Sequence, residues 1–151
     1  MKRKSKGAIH LNKKNTGDLT QALMDTADLN EYLSENDALL LHDGVAELLN
    51  DLCMRKRLAK ASLAWEAGMS EVYLHQIISG RRRPSRDRVL CLCVAMGATL
   101  DEAQALLRQC GCAALYPKDR RDAIILYGLL HRHSLHQVND LLFEHNEKTL
   151  S

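Results

Sequence analysis

Cys91 and Cys93 form one C-x-C pair, Cys110 and Cys112 another, and His131, His133 and His136 follow. Thiols and imidazoles in such proximity are the ligand types of a zinc site, or the groups of a redox switch. Inside a helix, however, residues two apart point about 200° away from each other around the axis. Cys91 and Cys93 are expected mid-helix and therefore do not converge on one ion. Cys110-Gly111-Cys112 falls at a helix end and is better placed for a metal or for thiol oxidation. With Cys53 the thiols form an odd set, and the basic start Met1–Lys6 has no apolar run behind it. Free, mostly buried thiols of a reducing cytoplasm are the expectation, with no metal and no cofactor. The motifs of hydrolases and nucleotide binders are missing too: no nucleophile elbow, phosphate loop, zincin box or paired carboxylates. An enzyme is not expected.

The other chemistry is electrostatic. A formal net charge of +2 over 151 residues hides blocks of opposite sign. Six of the first fourteen residues are Lys or Arg, and none occurs from Asn15 to Met54, where nine acidic side chains lie, from Asp18 to Asp51. From Leu52 to Leu90 the sign reverses: nine cations (Arg55, Lys56, Arg57, Lys60, Arg81, Arg82, Arg83, Arg86, Arg88) stand against Glu66, Glu71 and Asp87. Such a cluster is a candidate footprint for a polyanion such as nucleic acid, and a solvated surface is the plain alternative.

The elements that must carry these groups are helices. Leucine occurs 27 times against ten Val plus Ile, alanine 16 times, and aromatic residues make up 4%. Side chains of this kind keep rotamer freedom in helices, whereas sheets favour β-branched and aromatic ones. The chain is expected to be all-α, and no apolar run approaches the roughly 18 residues a membrane span needs. Residues 1–17 read as a basic disordered arm, and 18–42 as short acidic helices with Leu19/Leu23 and Leu29/Leu33. An amphipathic helix follows, presenting Val45, Leu48, Leu49, Leu52 and Cys53. Gly68, Gly80, Gly97 and Gly111 each stand just past a helical pattern, as left-handed caps do. Ser70 and Ser85 mark helix starts, while Thr99–Glu102 and Ser134–Gln137 are capping boxes. Residues 113–151 are expected to form a helical pair, about 119–132 and 135–145.

The segment Leu58–Ser85, LAKASLAWEAGMSEVYLHQIISGRRRPS, carries the strongest signal. Two short helices, 60–67 and 71–79, flank a turn at Gly68. Leu63, Ala64 and Ala67 point inward from the first, Leu74, Ile77 and Ile78 from the second, and Met69 plugs the turn. Two helices crossing at about 90–120° need a small residue where they approach, which Ala64 supplies. These constraints define a helix-turn-helix within an expected domain spanning 43–112.

Leu58, Leu63-Ala64, Gly68, Ser70, Leu74, Ile77, Gly80 and Arg83-Pro84-Ser85 resemble, without a gap, the Xre, or lambda-repressor-like, helix-turn-helix DNA-binding family. The resemblance extends over a five-helix unit, about Val45 to Leu107. It implies that helix 71–79 enters the major groove of double-stranded DNA. Carried over by position, the base-facing residues are Glu71, Val72, Tyr73, His75 and Gln76. Gln76 is suited to the adenine N6/N7 edge and Val72 to a thymine methyl. The phosphate contacts fall on Lys60, Ser70, Ser79, Arg81, Arg82 and Arg83. Glu71 departs from the family's pattern, where a neutral polar or basic residue is common. Its carboxylate suits the helix dipole, opposes phosphate, and is expected to accept from cytosine N4 or simply to cap.

The resemblance implies a cytoplasmic, sequence-specific transcriptional regulator working as a homodimer without a cofactor. The C-terminal helices, with Ala123, Ile124, Tyr127, Leu130, Leu135, Val138, Leu141 and Leu142, either extend the core or dimerise. The alternative is a protein-interaction module, an antitoxin or signalling adaptor, that keeps the helix-turn-helix as scaffold and binds a partner through the flanking helices.

Overall fold

The computed structural model describes residues 15–36 and 44–151. The chain divides into two compact units, Met1–Leu41 and His42–Ser151. The basic arm up to residue 14, and Asp37 and Asp43 of the acidic block, lie outside the described residues. All regular structure among the described residues is helical, as the composition predicts.

The first unit holds α1 (Thr16–Asp25) and α2 (Leu29–Glu35). Asn15 and Asp18 cap α1 reciprocally, the Asp18 N–H donating to Asn15 Oδ1 at 2.8 Å. Asp28 caps α2 by accepting from the Asn30 N–H. Leu23, Met24, Leu29 and Leu33 are exposed, and α1 buries none of its residues. The leucine pattern of this segment therefore marks helices but not a core.

The second unit contains α3 (Gly44–Arg55), α4 (Lys60–Glu66), α5 (Glu71–Ile78), α6 (Arg86–Ala95), α7 (Leu100–Gln109), α8 (Arg120–Leu130) and α9 (Leu135–Glu144). Its starts follow the side chains that predict them. Ser70, Ser85, Thr99 and Ser134 each accept from a backbone N–H three residues on, and Thr99–Glu102 and Ser134–Gln137 close as capping boxes. Most of the ends share one terminator. At α4, the Gly68 N–H donates to Trp65 O and the Met69 N–H to Ala64 O, with Gly68 at φ +69°. This Schellman turn satisfies the last carbonyls and needs a left-handed residue. It recurs after α3, α8 and α9 with Arg57, Arg132 and Asn146 in the left-handed place, where no glycine signals it.

Helix α6 is the centre of the unit. Val89 to Val94 are all buried, and a helix apolar all round belongs inside. It packs against α4, α7, α8 and α9. One core joins Leu49, Leu52, Leu63, Leu74 and Ile77 to Ile125, Leu126, Val138 and Leu142. The C-terminal pair thus shares its interior with the helix-turn-helix region, and α8 and α9 close tightly: a Cβ built at Gly128 would lie 2.5 Å from Val138 Cγ2. Two carboxamides fasten the irregular segments. Gln104 brackets the backbone of Leu115, accepting at 2.8 Å and donating at 3.1 Å. Asn139 brackets Leu150 in the same way, at 2.7 and 3.0 Å.

Candidate nucleic-acid interface

Helices α4 and α5 and the turn between them form the predicted motif. Leu63, Ala64, Ala67, Leu74 and Ile77 are buried, while Met69 and Ile78 are half-buried against the core. Full burial of a leucine or isoleucine side chain stabilises by about 1.5–3 kcal/mol, so this face fixes which side of α5 turns outward. Glu71, Val72, His75 and Ser79 are exposed, and Tyr73 and Gln76 are half-buried. Of the six residues assigned to the outward face by sequence, four are thus exposed and two partly covered. Ser70 Oγ accepts from the Tyr73 N–H at 3.0 Å, and Ser79 Oγ donates to Gln76 O at 3.2 Å. Glu71 Oε1 lies 3.6 Å from His75 Nε2, one turn on.

The cations divide into two groups. Arg55 pairs with Asp51 at 2.9 Å and Lys56 with Glu102 at 2.9 Å. Burial alone would raise the Glu102 carboxyl; the Thr99 N–H and Lys56 outweigh it and hold it below its ordinary value. Arg86 is consumed by Asp122 and by the carbonyls of Ala113 and Ala114. Arg57, Lys60, Arg81, Arg82, Arg83 and Arg88 make no ion pair among the described residues. These are the charges left to meet a polyanion.

Tyr73 links this second group to α5. The guanidinium carbons of Arg82 and Arg88 lie 5.4 and 5.3 Å from its ring centroid, within cation–π range. Arg88 also donates to Gly68 O at 3.4 Å. Arg88 lies beside the same ring as Arg82, although the phosphate contacts expected from sequence (Lys60, Ser70, Ser79, Arg81, Arg82 and Arg83) did not include it. Its signal was its place in the basic run, and the shared ring was invisible there.

The thiols lie mostly in the core. Cys53, Cys91, Cys93 and Cys110 are buried and Cys112 half-buried, all free. Burial pushes Cys91 and Cys110 up to about 11 and Cys93 to about 12, which suppresses the reactive thiolate. No group of three or more metal-ligating side chains converges among the described residues, and none of their helices is long and apolar enough to cross a membrane.

Residues 45–106 match the family described as "Helix-turn-helix domain". These bounds coincide within a residue with the Val45–Leu107 unit and agree with an Xre-like resemblance. Over this segment the chain is similar to helix-turn-helix domains. No curated protein and no solved structure matches the chain.

Proposed function

We propose that this chain is a sequence-specific DNA-binding transcriptional regulator of the Xre type, cytoplasmic, homodimeric and acting without cofactor or catalysis. The observation that carries this reading is the outward face of α5. It offers Val72, His75 and Gln76, and it is flanked by cations that no carboxylate neutralises among the described residues. In this reading α5 lies in the major groove, with Gln76 on an adenine edge and Val72 at a thymine methyl. Glu71 and His75 face the same groove wall. Lys60, Ser70, Ser79, Arg81, Arg82 and Arg83 hold phosphates, which supply salt-sensitive affinity while base contacts supply specificity. Tyr73 serves this face by aiming Arg82 and Arg88 as well as by any contact of its own.

Dimerisation would place two copies of α5 on half-sites one DNA turn apart. The support is an apolar groove of about 360 Å³ lined by Ala123, Ile124, Tyr127, Leu141 and His145, with Leu130 exposed on the same helix. The test of the whole reading is capture of fragmented genomic DNA by the purified protein at two salt concentrations, followed by sequencing. Enrichment of a palindromic motif that survives the higher salt supports it. Recovery of random fragments only, lost as salt rises, contradicts it.

A second reading, a protein-interaction module such as an antitoxin or signalling adaptor, draws on the acidic helices α1 and α2. They expose Leu23, Met24, Leu29 and Leu33. Co-purification of a stoichiometric protein partner that is lost on Leu29→Asp would favour it.

A further inference from the structure

A cavity of about 590 Å³ opens on the second unit between the helix-turn-helix and the C-terminal pair. That volume is in the range of small-molecule sites. Its walls come from both sides of the junction: Trp65 and Glu66 of α4, Val94 of α6, Arg132 and His133 of the α8–α9 turn, and His136 of α9. Trp65 is the one tryptophan of the chain and is 85% exposed. A side chain of this size is normally largely buried, and here its indole stands uncovered at the mouth of the cavity. Arg132 occupies the left-handed turn position, φ +56°. Its guanidinium has no ion pair among the described residues, unlike Arg86, Arg120 and Arg121 of the same region. The first turn of α9 opens on the same space and favours negative charge. Glu66 is the single carboxylate of the lining.

From this juxtaposition we propose that the cavity is a binding site for a flat aromatic carboxylate, its ring on the Trp65 indole and its carboxylate on Arg132. His136 stands at the rim beside the carboxylate, and the floor of Val94 and Leu135 receives the apolar edge. The site is independent of DNA contact, since none of its residues belongs to the proposed interface. An occupant would bridge α4, the first helix of the DNA-binding motif, to the C-terminal pair.

The single tryptophan makes the test direct. With one indole N–H, the ¹⁵N-labelled full chain gives one side-chain indole cross-peak. Benzoate and indole-3-carboxylate are titrated to about 10 mM, the range in which fragments of this size bind. Benzamide, neutral and of the same shape as benzoate, and acetate, which lacks the ring, serve as controls. The expected result is a saturable shift of the indole peak with at least one aromatic carboxylate and none with either control. Arg132→Asn, in which asparagine tolerates the left-handed turn, is expected to weaken binding about tenfold with an unchanged melting temperature. A saturable shift with benzamide equal to that with benzoate, no shift with either aromatic acid, or undiminished binding to Arg132→Asn would overturn the assignment.

Discussion

Arg86 and Asp122, 36 positions apart, meet through two charge-assisted hydrogen bonds, Nη1 to Oδ1 at 2.9 Å and Nη2 to Oδ2 at 2.8 Å. The neighbouring pair repeats the geometry in the opposite sense, Arg121 donating to both oxygens of Asp87 at 2.9 and 3.0 Å. Two Arg-Asp dipeptides, one at the start of α6 and one in the first turn of α8, thus exchange partners. Asp122 also accepts from the Tyr116 N–H at 2.9 Å. These contacts tie the C-terminal pair to the helix that follows the basic run.

Asp122→Ala is expected to lower unfolding free energy by about 3 kcal/mol, because it leaves a partly buried guanidinium without its partner. Burial alone would raise the Asp122 carboxyl, but bonds from Arg86 and the Tyr116 N–H, with the charges of Arg86 and Arg121, hold it below its ordinary value. A depressed carboxyl stabilises the fold above the ordinary carboxylate range and loses that contribution as pH falls through the depressed value. Denaturant melts of wild type and Asp122→Ala are expected to differ by a constant amount near neutrality. The gap closes below about pH 4.

Arg86→Ala and Arg82→Ala should separate structural from phosphate-facing charge. Arg82→Ala is expected to weaken binding to all DNA sequences and to reduce the slope of log affinity against log salt by about 1, with little change in melting temperature. Arg86→Ala is expected to lower the melting temperature and leave the salt slope intact. Equal slopes in the two variants would contradict the division of the cations.

Local features were legible in the sequence because their physics is local. Ser70, Ser85, Thr99 and Ser134 cap where a short polar side chain precedes an apolar period, and Gly68 ends α4 where only a left-handed residue fits. Leu63, Ala64, Leu74 and Ile77 are buried as their spacing requires. Partner choice was not legible. Nothing near Arg86 says that a carboxylate 36 positions on will neutralise it, so the basic run overstated the free charge. The Schellman turns at Arg57, Arg132 and Asn146 were missed because no glycine marks them. Leu19 and Leu23 have helical spacing, but Leu23 is exposed, since periodicity shows a face without showing what covers it.

Tyr127→Glu is expected to convert a dimer to a monomer, read by sedimentation, because it places a charge in the apolar groove of α8 and α9. Tyr127 is half exposed, so folding should survive. Affinity for a two-half-site duplex should fall while affinity for a single half-site is kept. Dimers persisting in the variant would move the interface elsewhere.

Thiol labelling of the native protein is expected to modify Cys112 first. Cys91, Cys93 and Cys110, buried and pushed up to about 11, 12 and 11, should react only on unfolding. Rapid modification of Cys110 would revive an oxidation switch at the end of α7.

The central claim is that α5 reads bases, and Gln76→Ala tests it most directly. Affinities of wild type and variant are measured on the selected site and on a random duplex of equal length at one salt concentration. The account predicts a loss of about 1–3 kcal/mol on the selected site, near-unchanged binding to random DNA, and relaxed preference at one base position. Equal losses on both duplexes would contradict it.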